Sequence, residues 1–200
     1  MTLACLLPAA GASSRMRGGD KLLELVDGKP CLATLCERAI DAGLDVITTL
    51  PHKNHPRTAS LAHLTITKIY VEDAVSRGMS ASLVHGAAAL PETAKGLMVL
   101  PPDMPDIQSG DMKTMADAFL STQAKILRAR TASGRAGHPI VFSTQLVREF
   151  SKLTGDIGAQ SIVKRHIKDI QFFDFKDERA LLDLDTPEDW AAWRQSPVRD

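Results

Sequence analysis

Leu6-Leu7-Pro8-Ala9-Ala10-Gly11-Ala12-Ser13-Ser14-Arg15-Met16-Arg17-Gly18-Gly19-Asp20-Lys21-Leu22-Leu23 is the stretch that sets the fold. The apolar run 3–7 leading into it reads as a buried strand. It opens at once into small residues, which let backbone N–H groups approach an anion, and a following turn points several of them at one phosphate. Arg15 and Lys21 add the positive charge that a polyphosphate needs. The loop is therefore a candidate triphosphate cradle built from Ala9, Ala10, Gly11, Ala12, Ser13, Arg15 and Lys21. It is not a P-loop, because Leu22 follows Lys21 where Ser or Thr is required, and it lacks the G-x-G-x-x-G dinucleotide spacing.

Outward from this strand and loop, apolar runs alternate with helical patterns. Strands are predicted over 3–7, 46–50, 67–71, 97–100, 125–130, 139–142, 170–175 and 182–184. Helices are predicted over 30–42, 79–90, 111–122, 145–152, 159–165 and 187–194. Such alternation implies crossover units and a mostly parallel sheet covered on both faces, an α/β class whose ligands bind at the carboxyl ends of the strands. The first loop and the segment 101–105 then share one rim. Segments 51–57 (PHKNHPR) and 131–138 (TASGRAGH) read as a surface loop and a flexible connection. The expected organisation is one domain over 1–194 with a frayed tail at 195–200.

Bulk properties narrow the function classes. In 200 residues, Lys and Arg balance Asp and Glu at 24 each, and aromatics are only 4%. A basic field and a base-stacking surface for nucleic acid are both absent. No apolar run reaches the roughly 18 residues that span a bilayer, so neither a nucleic acid nor a membrane is expected as partner. The three cysteines, Cys5, Cys31 and Cys36, form no CxxC pair. With no basic n-region at the start, they suggest reduced thiols in the cytoplasm.

Four further constellations carry chemistry. In Leu100-Pro101-Pro102-Asp103-Met104-Pro105 a carboxylate sits at the tip of a buried strand, where it suits Mg²⁺ held against phosphate oxygens; a turn aspartate is the plain alternative. In Gly78-Met79-Ser80-Ala81-Ser82-Leu83, glycine and two serines open a helix, either capping it or reading a base or ribose. Gly137-His138-Pro139 and Gly155-Asp156-Ile157-Gly158 are glycine turns beside a strand and a helix that put backbone near a pocket, with His138 and Asp156 as candidate contacts to a phosphate or acceptor; a plain surface histidine is the alternative for His138. Thr186, Pro187 and Asp189 fit the N-cap, N1 and N3 positions of a helix. Just before them, Asp183 and Asp185 alternate as strand residues do, and one of them suits a metal site with Asp103.

Taken in order, these elements resemble the small nucleotidyltransferase family of molybdenum cofactor biosynthesis, most of all its cytidylyltransferase-like branch. Residues 9–23 are similar to its A-A-G-x-S-x-R-M…K-L-L signature and 78–83 to G-M-S-x-S-L. Residues 102–105 resemble G-D-M-P, 137–142 G-x-P-V-x-F, 155–159 G-D-x-G-A and 183–189 D-x-D-T-P-E-D. Pro102 stands where the family has Gly or Ala, and Gln160 where it often has Arg. The resemblance implies a Rossmann-like three-layer nucleotidyltransferase fold that transfers CMP from CTP to a phosphorylated acceptor. The acceptor it implies is molybdopterin, with Mg²⁺ as cofactor, pyrophosphate as product, and a molybdoenzyme or its chaperone as further partner. It implies Arg15, Lys21 and Asp103 as catalytic residues and Asp103 and Asp185 as metal ligands. Nucleotide contacts would come from the first loop with Gly78, Ser80 and Ser82. GTP-using relatives typically carry G-G-x-D-K-G-L; here Gly18-Gly19-Asp20-Lys21 is followed by leucine, which favours CTP. A transferase acting on a sugar phosphate and a cofactor-binding chaperone without turnover are the competing readings.

Overall fold

The structure is a computed structural model, and it describes residues 2–74, 78–155 and 158–196. A seven-stranded sheet is built from β1 (Thr2–Pro8), β4 (Asp45–Leu50), β5 (Thr67–Tyr70), β6 (Ala94–Val99), β7 (Ile126–Arg130), β8 (Ala136–Ser143) and β9 (Ile170–Asp174). A two-stranded ribbon, β2 (Leu25–Val26) and β3 (Lys29–Pro30), follows the first loop. The sheet order is β5-β4-β1-β6-β8-β7-β9. All neighbours are parallel except β8, which runs antiparallel to both β6 and β7. The fold is thus a three-layer α/β fold around a mostly parallel central sheet, as expected.

The reason is visible in β1. Leu3, Cys5 and Leu7 enter one apolar cluster and Ala4 and Leu6 the other, so every residue of the run 3–7 is buried. A strand covered on both faces has no polar side, hence the unbroken apolar run. The first face is covered by α1 (Cys31–Asp41), which buries Cys31, Leu32, Leu35, Cys36 and Ala39 at helical spacing, with α4 (Ser109–Ser121) and α7 (Pro187–Gln195). The second is covered by α3 (Met79–Ala88), α5 (Thr144–Val147) and α6 (Gln160–Arg165). The three cysteines are free and buried, and burial raises the Cys5 thiol to about 12, so they serve as small apolar side chains.

From β1 the chain moves out to β4 and β5, then returns to β6 on the other side of β1. A crevice therefore opens at the carboxyl ends of β1 and β6, which places the loop after Pro8 beside Asp103.

Four expectations are corrected. Residues 182–184 form no strand; their segment lies along the turn after β6, with Leu184 N–H donating to the Asp103 carbonyl at 3.0 Å. The helix expected over 145–152 is the short α5 followed by a 3-10 turn, Arg148–Lys152. The stretch 131–138 is a closed hairpin, with Thr131 N–H donating to the Arg135 carbonyl at 2.9 Å and β8 starting at Ala136. Segment 51–57 is not all surface: α2 (Pro56–Ser60) starts within it, and Arg57 is only 2% exposed. At the far end, Gln195 still closes α7, and residues 197–200 lie outside the described residues.

Candidate active site

The loop after β1 is a coil of two short turns. Ala9 and Ala10 are buried, while Gly11 and Ala12 face outward. Ser13 and Arg17 sit in the left-handed region at φ 49° and 50°, flanking a 3-10 turn, Ser14–Met16, whose Met16 is buried as a plug. A second turn, Lys21–Leu23, is capped by Asp20, whose carboxylate accepts from Leu22 N–H at 3.1 Å. Together they aim the Lys21 side chain back toward the rim.

Arg57 holds this coil from behind. Its guanidinium grips both oxygens of Asp20 at 2.7 and 2.8 Å, the hydroxyl of Ser13 at 2.8 Å, and the carbonyls of Ala9 and Gly11 at 2.6 and 2.7 Å. With those two carbonyls drawn inward, the backbone of the loop has its donor edge left for a ligand.

Lys21 lies between two carboxylates. Its ammonium is 2.5 Å from Asp103 Oδ2 and 2.7 Å from Asp185 Oδ1, and Arg15 reaches the other Asp185 oxygen at 2.6 Å. Burial opposes the Lys21 charge, but the charge of Asp103 and the bonds to both carboxylates outweigh it and raise its pKa. Asp183 borders the same space; burial first, then the charge on Asp103, raises its pKa. Asp185 is fixed by the helix that follows, because its N–H donates to the Asp189 carboxylate at 3.2 Å and Asp189 also closes the capping box with Thr186.

The carboxylates suit a hard divalent cation. Asp103 is 7% exposed, and its Oδ1 is buried with no hydrogen-bond partner among the described residues. Such an orphan acceptor is costly unless a cation or donor reaches it. No group of three or more His, Cys, Asp or Glu side chains is arranged for a metal among the described residues. Mg²⁺-type sites use one or two carboxylates and complete the shell with substrate phosphates and water.

A cavity of about 580 Å³ joins these groups, lined by Gly11, Ala12, Ser13, Arg15, Lys21, Asp103, Asp185 and His138 among the expected residues. Ala10 lines an adjoining groove on the far side of the loop. Gly78 heads α3 at φ 73°, while Ser80 and Ser82 are buried beneath and do not line the cavity. Asp156 lies outside the described residues. Arg57 and Arg128 are the site residues that sequence reasoning missed.

A mostly parallel sheet that presents a small-residue loop, a lysine and a strand-tip aspartate to one cavity is the arrangement of an α/β nucleotidyltransferase. The chain belongs to the MobA-like NTP transferase domain family, whose model matches residues 5–170. It is similar to Rv0371c from Mycobacterium tuberculosis H37Rv, with 29% identity, TM-score 0.84, and 98% and 100% of the two chains covered. A second structure of that protein, in complex with manganese, matches at 27% identity and TM-score 0.81 over the same shares. CMP:2-keto-3-deoxy-manno-octonic acid synthetase complexed with CTP shares the fold at 17% identity and TM-score 0.72, covering 98% and 99% of the chains. No curated protein sequence matches the chain.

Proposed function

We propose that this nucleotidyltransferase moves CMP from CTP onto a phosphorylated acceptor of the molybdopterin type, releasing pyrophosphate with Mg²⁺ bound. The observation that carries it is the Lys21 ammonium bridging Asp103 and Asp185 at the cavity while Asp103 Oδ1 stays buried without a partner among the described residues. Supporting the metal, a relative at 27% identity is described in complex with manganese. CTP is supported by Leu22 directly after Lys21 and by the CTP complex of the synthetase of the same fold.

The acceptor phosphate is already an anionic nucleophile, so no general base is required. One of its oxygens forms a bond to the α-phosphorus as the bond to the bridging oxygen breaks, and the electron pair leaves with pyrophosphate. Catalysis is then positioning and charge neutralisation. Asp103 and Asp185 would hold the cation, which supplies positive charge to the phosphate oxygens. Lys21, poised between the two carboxylates, and Arg15, exposed at the mouth, would offset charge on the leaving pyrophosphate. The first loop would orient the triphosphate through its backbone donors.

The test is calorimetric binding of CTP, GTP, ATP and UTP with Mg²⁺, followed by a pyrophosphate-release assay with molybdopterin. Preference for CTP and release dependent on molybdopterin are expected. Preference for GTP would reassign the donor, release only with a sugar phosphate would reassign the acceptor, and binding without any release would make the protein a cofactor carrier.

A further inference from the structure

The cavity has two differently charged ends. Where β1 and β6 meet it, each cation has its carboxylate: Arg15 and Lys21 are matched by Asp185 and Asp103. Where β7 and β8 meet it, Arg128 and His138 line the wall, and no carboxylate lies within ion-pair distance of Arg128 among the described residues.

Arg128 is placed there by register. It pairs with Ile140 on β8 and lies two residues from Ile126, so its stem rises from the apolar face that these two buried residues share. Its Nε donates to the Gly137 carbonyl at 3.1 Å and its Nη2 to the Ala136 carbonyl at 3.4 Å. These bonds set the guanidinium plane against the start of β8 and leave its Nη1 donors to the cavity. Burial lowers the Arg128 pKa, but a guanidinium stays charged in any protein environment. A partly buried charge without a counter-ion carries a desolvation cost that an incoming anion removes. Burial, with the Arg128 charge next, lowers His138 to about 4, so at neutral pH it offers a hydrogen bond and no charge. Between the two ends the wall is apolar, formed by Leu83, Val99, Ile140 and Val163.

Resting on the nucleotidyltransferase reading above, we propose that Arg128, with His138 beside it, is the anion-binding end of the acceptor subsite. The acceptor it selects is an organic phosphate whose body packs on that apolar wall. With its Nε–Nη2 edge turned to the Gly137 and Ala136 carbonyls, the guanidinium keeps its Nη1 end, with the second Nη2 hydrogen, to bind two oxygens of such a group at once.

The experiment loads the protein with a non-hydrolysable CTP analogue and Mn²⁺, filling the triphosphate end, and then titrates inorganic phosphate or, in a second arm, acetate. Phosphate is expected to bind the loaded protein better than acetate. In Arg128→Met its affinity should fall at least about tenfold, the loss of one charge-assisted pair, while analogue affinity holds. Tighter binding of acetate would make the acceptor a carboxylate and overturn the phosphate assignment. Equal phosphate binding by Arg128→Met, or none by the wild type, would overturn the subsite. A wild-type crystal soaked in selenate decides the matter if the variant fails to fold: an anomalous peak against Arg128 supports the subsite, and its absence there rejects it. Failure of the analogue to bind the wild type would count against the nucleotidyltransferase reading alone, since the selenate soak still interrogates Arg128.

Discussion

Arg57 and Asp20 stand 37 residues apart in sequence, yet their ion pair ties the loop after β1 to the start of α2. Removing the guanidinium leaves Asp20 and two loop carbonyls without their partner, and breaking a buried pair in this way costs about 3 kcal/mol. Arg57→Ala is therefore expected to lower the melting temperature and to weaken CTP binding by an order of magnitude. Arg57→Lys should recover part of the stability but little of the binding, because an ammonium cannot hold both Asp20 oxygens and two carbonyls in one plane. Thermal melts paired with calorimetry check both. Asp103→Asn removes the carboxylate charge both from the orphan oxygen and from the pair with Lys21, which keeps its bond to Asp185; transfer should fall about a hundredfold or more, as for other preorganised electrostatic groups, with a smaller effect on the melt, and turnover near wild type would remove the metal assignment. His138 gives a pH signature. Its folded pKa of about 4 lies below the ordinary 6.5, so the unfolded chain takes up the proton first as the pH falls. Its contribution is complete above 6.5 and is lost progressively down to 4, by up to about 3 kcal/mol. Denaturant melts of wild type and His138→Asn over that range should differ in slope. At this scale the sequence was only partly readable. Lys21, Arg15 and Asp103 announce themselves by loop and strand-tip position, whereas Arg57 hides among prolines and histidines that signal a surface loop, and its partners are distant in the chain.

At the scale of elements, periodicity and capping carried most of the information. The run 3–7 marked the central strand because both its faces are buried, and Thr186, Pro187 and Asp189 marked the start of α7, where the structure forms the capping box. Alternation misled at 182–184, since Asp183 and Asp185 alternate with leucines for a local reason: the leucines pack down while the carboxylates border the cavity. The antiparallel direction of β8 was also hidden, because strand direction depends on the closed hairpin at 131–135 rather than on side-chain pattern. Gly137 in β8 makes a strong element-scale test. A Cβ there would lie 2.0 Å from the Ala180 backbone carbonyl, so neither side has room to yield. Gly137→Ala should destabilise by about 1–3 kcal/mol, as overpacking does. Because Ala180 precedes the carboxylate segment, the same change should weaken metal-dependent CTP binding, measured by calorimetry on the folded fraction.

For the whole molecule, the site is a junction of segments far apart in the chain: the loop after β1, the start of α2, the turn after β6, the β7–β8 hairpin and the segment before α7. Each segment is fixed to its element, but their mutual approach leaves charges of both signs facing one cavity, held apart from solvent by little more than each other. A ligand that bridges them ties the two halves of the sheet together and stabilises the fold in proportion to its affinity. At a hundredfold excess over its Kd, CTP with a divalent cation should add about 2.7 kcal/mol. For a chain of this size each kcal/mol moves the melting temperature by about 2–4 °C, so a rise of several degrees is expected. Chelation should abolish most of it, since without the cation the triphosphate meets Asp103 and Asp185 as like charges. Asp103→Asn should respond less to the cation, whereas Arg128→Met should respond as wild type does, because Arg128 belongs to the acceptor end. A thermal-shift titration across these three proteins thus separates the two poles of the cavity, and an equal response to CTP with and without the cation would break the link between the carboxylates and the triphosphate on which the transfer chemistry depends.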